Sequence, residues 1–305
     1  MTRNPFIYSE PLYRPPSEAY SLIIQATYGC SHNKCSFCTM YKTKKYVVKP
    51  IDEIKNDIDA FRIHLSYVKR IFIADGDAFS MPTNMLIEML GYIKKKFPEC
   101  ERISIYASPK SVLEKTDEEL NLIKSAGLEL VYLGIESGDS KTLKSIRKEI
   151  DSDGMIEVCK RLKNAKFTLS VTLIAGINGQ NSWREHAVNS GKLISQIEPD
   201  YLGILTLIIS PGCELYNKLR VGEFIEATSK DILNEIKVII ENIDVKKPLI
   251  FRANHASNYL NLSGTFPEDK RFLLDEINLA LKTADGFEKN IEDYKKVVDV
   301  SLKLC

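Results

Sequence analysis

Short apolar runs recur along the chain: Ser21 to Thr27, Arg70 to Ala74, Arg102 to Ala107, Glu129 to Gly134, Thr168 to Ala175, Tyr201 to Ile208 and Leu249 to Arg252. Most are bounded by turn residues and too short for helices, which predicts buried strands. The segments between them change period. Ile51 to Tyr67 repeats apolar positions at Ile54, Ile58, Phe61 and Leu65, and Met85 to Phe97 does so at Leu86, Leu90 and Ile93, the spacing of amphipathic helices. Thr116-Asp117-Glu118-Glu119 reads as a helix start with acidic residues in its first turn, Ala126-Gly127 as its stop, and Asp151 to Asp153 as a further N-cap.

Strand and helix thus alternate, which predicts repeated βαβ units and a parallel sheet: an α/β fold with six units, an open or closed (β/α) barrel. In such folds ligands gather at the C-terminal ends of the strands, so the loops after the apolar runs are where chemistry is sought. After residue 255 the strand pattern stops, and from Pro267 two helices are predicted, Glu268 to Thr283 and Phe287 to Leu304. The expected organisation is an N-terminal extension (1–20), a barrel (21–255) and a C-terminal helical tail packed on it (256–305).

Composition narrows the class. Of 305 residues, 44% are apolar and 27% charged, ordinary for a globular protein, and the formal charge of +1 gives no whole-chain electrostatic case for a nucleic-acid partner. The N-terminus lacks the apolar core of a signal peptide, and no stretch approaches the roughly 20 apolar residues that span a bilayer, so no membrane partner and a cytoplasmic location are expected. The seven cysteines are an odd number, three clustered and four scattered, a poor match to a secreted disulfide framework.

The three clustered cysteines, Cys30, Cys35 and Cys38, lie in the loop after the first predicted strand. Structural zinc takes four protein ligands, and an ordinary electron-carrying 4Fe-4S cluster takes four cysteines, so three thiolates leave one coordination position open. By ligand count alone, a zinc site completed by His32 or a distant histidine stands beside an iron-sulfur site.

Cys-x4-Cys-x2-Cys with Phe37 just before the last cysteine resembles the signature of the radical S-adenosylmethionine (SAM) superfamily, with one more residue in the first gap than the usual spacing. Later strand ends add to the resemblance. Asp75-Gly76-Asp77 stands where that superfamily has a turn that holds the SAM amino group. Gly134-Ile-Glu136-Ser137-Gly138 is similar to the motif of the branch with coproporphyrinogen dehydrogenases, tRNA methylthiotransferases and the elongator catalytic subunit. Lys148 follows it as the basic residue for the SAM carboxylate, and Gly176-Ile177 resembles the segment beside the adenine. The resemblance covers roughly residues 20 to 215.

It implies a partial (β/α)6 barrel of the radical SAM type, a 4Fe-4S cluster on Cys30, Cys35 and Cys38, and SAM bound by Phe37, Asp75, Gly76, Asp77, Ser108, Glu136, Ser137, Lys148, Gly176 and Ile177. It further implies reductive cleavage of SAM to a 5′-deoxyadenosyl radical, hydrogen abstraction from a substrate, an external electron donor of flavodoxin or ferredoxin type, and an oxygen-poor setting. Burial of thiols as small hydrophobes is the expectation for Cys100, Cys159 and Cys213.

One polar segment lies outside these motifs. Arg252, Asn254, His255, Asn258 and Tyr259 follow the last predicted strand and are candidates for lining a substrate pocket, with His255 exchanging a proton, Arg252 clamping an anion and Tyr259 beside them. A polar loop satisfying its own backbone is the competing reading. The expected substrate is a small or medium-sized molecule; a tRNA- or peptide-modifying enzyme and a non-catalytic zinc or Fe-S protein are the alternatives.

Overall fold

The computed structural model describes residues 8–283. In chain order its elements are a 3-10 turn (Pro16–Glu18), β1 (Leu22–Gln25), β2 (Thr27–Tyr28), β3 (Val47–Val48), α1 (Ile51–His64), β4 (Arg70–Ala74), a second 3-10 turn (Ala78–Ser80), α2 (Thr83–Lys96), β5 (Arg102–Ala107), α3 (Pro109–Leu113), α4 (Asp117–Ala126) and β6 (Leu128–Glu136). They continue with α5 (Ser140–Ser145), α6 (Ser152–Asn164), β7 (Thr168–Ala175), α7 (Trp183–Ile197), β8 (Tyr201–Thr206), α8 (Glu214–Arg220), α9 (Ser229–Glu241), β9 (Leu249–Ala253), β10 (Leu262–Phe266) and α10 (Lys270–Lys282). The chain forms two compact units, Met1–Gly134 with Asp153–Ser170, and Ile135–Ser152 with Val171–Cys305.

In the first unit the strand order is β1-β4-β5-β6, every neighbour parallel, with Leu22 opposite Ile71, Arg70 opposite Arg102 and Ile105 opposite Val131. Ile71, Phe72, Ile73 and Ala74 are all fully buried, which is why this strand reads as an unbroken apolar run: a sheet covered on both faces has no polar side to alternate with. Ile54, Ile58 and Phe61 of α1 and Leu86, Leu90 and Ile93 of α2 are buried as their spacing predicts. Leu65, expected on the same face, instead stands one residue past the helix and is half-buried.

The start and stop of α4 follow from its residues. The Thr116 hydroxyl accepts from the Glu119 N–H while the Glu119 carboxylate accepts from the Thr116 N–H, a reciprocal cap. Gly127 ends the helix at φ +116°, a left-handed conformation in which a side chain is strained. A Cβ at Gly127 would also lie 2.0 Å from Lys94 Cε, a flexible atom that can move away. Gly127→Ala is therefore expected to destabilise the fold by about 1–2 kcal/mol, read from urea unfolding; an unchanged midpoint would contradict it.

In the second unit the order is β7-β8-β9-β10. Tyr201 of β8 pairs in parallel with Ile250 of β9, while β9 and β10 are antiparallel, Leu249 opposite Phe266. The strand β10 corrects the expectation that no strand follows residue 255. Of its five residues only Leu262 and Phe266 are buried, and Gly264 sits at its centre, so no apolar run announces it. The expected helix Glu268 to Thr283 is α10; the expected helix Phe287 to Leu304 lies outside the described residues. No helix among the described residues is long and apolar enough to cross a membrane.

Candidate cluster and cofactor site

The cysteine loop leaves the sheet directly after β1. Thr27 and Tyr28 pair antiparallel with Val48 and Val47, so the residues between them form an excursion closed at its base by a two-stranded ribbon. Within it Cys30, Cys35, Cys38 and Phe37 are half-buried, and the Cys38 N–H donates to the Cys35 carbonyl at 3.4 Å. The Asn33 amide donates to the Tyr41 carbonyl at 2.8 Å across the loop.

The turn after β4 meets this loop from the neighbouring strand. Asp75 is fully buried: its Oδ1 accepts from Gln25 Nε2 at 3.0 Å, and its Oδ2 accepts from the Gly29 N–H at 2.9 Å and Lys44 Nζ at 2.8 Å. Lys44 also donates to the carbonyls of Ser9 and Pro11. Asp77 is fully buried too. Its Oδ1 accepts from the Ser108 N–H at 2.9 Å and the Ser111 hydroxyl at 2.8 Å; its Oδ2 accepts from the hydroxyls of Ser108 and Ser31. Burial pushes both carboxyl groups above the usual carboxylate range, and these donors oppose it. Ser108, expected at SAM, is thus engaged with Asp77 and caps α3. Gly76 lies against the loop itself: its N–H donates to the Gly29 carbonyl at 3.1 Å, and a Cβ there would stand 2.6 Å from the Tyr41 ring and 3.1 Å from Cys30 Cβ.

Among the described residues no three His, Cys, Asp or Glu side chains form a set that could hold a single metal ion. In an iron-sulfur cluster each cysteine ligates its own iron, so three thiols need not converge on one point. The donor set fits a cluster with one open iron: three thiols in a nine-residue stretch, packed on a glycine whose place admits no side chain. The other described cysteines differ. Burial pushes the Cys159 thiol up to about 12 and raises that of Cys100, which donates to the Arg102 carbonyl; Cys213 is buried.

In the second unit, Glu136 ends β6 at φ +66°, uncommon for a residue with a side chain. Its carboxylate accepts from Lys148 Nζ at 2.9 Å, so two residues expected at SAM form a mostly buried ion pair. The next residue opens a fully buried polar chain. Ser137 Oγ lies 2.7 Å from His186 Nδ1 and accepts from the Asp139 N–H; His186 Nε2 lies 3.1 Å from Glu235 Oε1; and the Glu235 carboxylate accepts from the Gly176 N–H at 3.0 and 3.1 Å. Gly176, at φ +83°, and buried Ile177 follow β7, so α7 and α9 tie together two loops to which SAM contacts were expected. Gly138 is enclosed as well, since a Cβ there would meet the Asn189 carbonyl oxygen at 2.4 Å.

The segment after β9 is held to the end of β8. The Thr206 hydroxyl donates to Asn258 Oδ1 at 2.9 Å, the Asn258 amide to the Ile204 carbonyl at 2.7 Å, and the Thr206 N–H to the Ser257 hydroxyl at 3.1 Å. The Ser257 N–H donates to His255 Nδ1 at 3.1 Å, which places the proton of the neutral ring on Nε2. Burial holds that imidazole below its usual value and raises the Tyr259 phenol. Arg252 is exposed and donates to the carbonyls of Phe251 and Gly264. A cavity of about 700 Å³ lined by Tyr8, Arg14, Tyr20, Tyr67 and Arg70 adjoins the N-terminal ends of β1 and β4, the end away from the cysteine loop.

Sequence reasoning passed over Gln25, Ser31, Lys44, Ser111, His186 and Glu235. Glu235 carried a signal: it interrupts the buried stripe Ile232, Leu233, Ile236, Ile239 of α9, where a carboxylate requires partners. The serines and Lys44 carried none, because residues of their kind are common in any polar loop.

The radical SAM superfamily model matches residues 24–190. The chain is 24% identical over 238 residues to the heme chaperone HemW of Buchnera aphidicola (74% of this chain, 59% of that protein) and 26% identical over 222 residues to the threonylcarbamoyladenosine tRNA methylthiotransferase MtaB of Rickettsia prowazekii (70% and 51%). It therefore spans between half and three-fifths of the length of these relatives. Coproporphyrinogen III oxidase (HemN) from Escherichia coli superposes with a TM-score of 0.56 at 15% identity, covering 72% of this chain and 51% of HemN. Methylornithine synthase (PylB) does so with 0.54 at 14%, covering 84% and 68%. These likenesses show an α/β fold of the radical SAM barrel type. With its family model spanning more than half of its length, the chain belongs to the radical SAM superfamily of enzymes, which use a 4Fe-4S cluster and S-adenosylmethionine.

Proposed function

We propose that the protein holds one 4Fe-4S cluster on Cys30, Cys35 and Cys38, binds SAM, and acts on a small or medium-sized substrate in the cytoplasm with a flavodoxin- or ferredoxin-type electron donor. The observation that carries this reading is the cysteine loop, closed at its base by β2 and β3 and packed on Gly76 at the C-terminal ends of β1 and β4. When bound, the cluster and SAM supply reductive cleavage of the sulfonium and a 5′-deoxyadenosyl radical that removes hydrogen from the substrate.

The chain's own residues orient these groups. Glu136 and Lys148 offer a carboxylate and an ammonium to the SAM amino and carboxylate groups, exchanging part of their mutual pairing for charge-assisted bonds to the ligand. The backbone of Gly176 and Ile177 serves the adenine, held in place from behind by Glu235. His255, with its proton on Nε2, is a donor toward substrate, beside Tyr259, while exposed Arg252 attracts an anionic group. The names of the relatives, a heme chaperone and a tRNA methylthiotransferase, concern different partners, so the substrate reading rests on the polar segment after β9.

Anaerobically reconstituted, dithionite-reduced protein given SAM is expected to release 5′-deoxyadenosine and methionine, read by chromatography. A fully loaded, reduced protein that leaves SAM intact, with candidate substrates present, would overturn the catalytic reading.

A further inference from the structure

Cys30 is flanked on both sides by hydrogen bonds to carboxylates of one turn. Before it, the Gly29 N–H donates to Asp75 Oδ2; after it, the Ser31 hydroxyl donates to Asp77 Oδ2; between the two acids, the Gly76 N–H donates to the Gly29 carbonyl. Each acid carries further protein donors: Gln25 and Lys44 on Asp75, Ser108 and Ser111 on Asp77. Both are fully buried, so water does not compete for their oxygens.

We propose that Asp75 and Asp77 are positioning residues that splint the cysteine loop and fix the direction of Cys30, and that their carboxylates are not ligands of SAM. Three observations support this. The carboxylates face into the protein with no exposed surface: two donors on each oxygen fill the lone pairs of Asp77, and three donors on Asp75 leave one, on Oδ1, that is buried away from any incoming ammonium. The donors come from three separate places, β1, the cysteine loop and α3 with its cap, so the turn joins the loop to the sheet and to the next strand end. Gly76, between the acids, has no room for a Cβ because Cys30 and Tyr41 fill that space. A ligand thiol held this way needs little ordering when iron arrives, the usual advantage of residues that support metal ligands.

The proposal rests on the cysteine triplet being the cluster site, and its test has one arm that needs no cluster. Ser31 is exposed, so Ser31→Ala removes one half of the splint without a buried cavity. In metal-free protein, alkylation of Cys30 by iodoacetamide, mapped by mass spectrometry, is expected to run several-fold faster in Ser31→Ala than in wild type, with Cys38 little changed and Ser31→Thr restoring the slow rate. In reconstituted protein, Ser31→Ala is expected to lose iron to a chelator about tenfold faster, the size of one charge-assisted hydrogen bond, while its equilibrium affinity for SAM stays within a factor of about three.

Unchanged Cys30 alkylation in Ser31→Ala overturns the splint. So does an Asp77→Asn protein that keeps wild-type iron release but binds SAM at least tenfold more weakly, which would make the acid a SAM ligand. Failure of the wild type to load iron would count against the proposed function instead, and the alkylation arm would still decide the splint.

Discussion

Alanine at Cys30, Cys35 or Cys38 is expected to abolish the cluster in each single variant, with iron and sulfide content after anaerobic reconstitution falling to background. A cluster already one protein ligand short has no spare thiolate, and loss of a second leaves two irons without protein donors. Nor does another described cysteine stand ready to replace it: Cys159 is buried with its thiol at about 12, buried Cys213 is engaged with the Ser210 carbonyl, and Cys100 is engaged with the Arg102 carbonyl at the start of β5. Cys100→Ala and Cys305→Ala are accordingly expected to load normally; Cys305 lies outside the described residues. Normal iron in any of the first three variants, or its loss in Cys100→Ala, would overturn the ligand assignment.

The largest loss of stability is expected at Glu235. Its carboxylate accepts the Gly176 N–H and lies 3.1 Å from His186 Nε2, and none of the three residues has access to water. Glu235→Ala leaves the buried Gly176 N–H without its acceptor, takes away the carboxylate beside His186 Nε2 and opens a cavity in α9's packed face; together these cost about 3–5 kcal/mol. Glu235→Gln keeps an oxygen for Gly176 and a similar volume, so about 1–2 kcal/mol is expected. Urea unfolding followed by circular dichroism reads both. An alanine variant within about 1 kcal/mol of wild type would show that the chain from Ser137 to Gly176 carries little of the fold.

The contrast between these sites explains what the sequence displayed. The strands of the first unit were legible because most of their residues on both faces are buried, leaving runs such as Ile71 to Ala74 that need no partner to be recognised. The capping box at Thr116 and the glycine at 127 were legible because they are local. By contrast, β10 has two buried residues in five and depends on its antiparallel partner, so its strand character is a property of the pair. At the site, cysteine chemistry and the motifs were visible as residue types, but the roles were set by distant neighbours. Asp75 and Asp77 read in sequence as free acids at a strand end; that they are already engaged, by Gly29 46 residues away and Ser108 31 residues away, is visible only in the fold. The Glu136 and Lys148 pair was found as two separate charges, and the 2.9 Å between them is a fact of folding.

The ribbon of β2 and β3 bears on the unusual four-residue gap between Cys30 and Cys35. Because the excursion's ends are held together by the ribbon, one added residue lengthens a loop that is already closed, and the logarithmic cost of closure grows by less than about 0.1 kcal/mol. With the proposed cluster bound, the loop would act as a tridentate chelator whose bite is set by anchors at its ends and beside its first donor, so its ring size could vary almost freely while the first sulfur keeps its bearing.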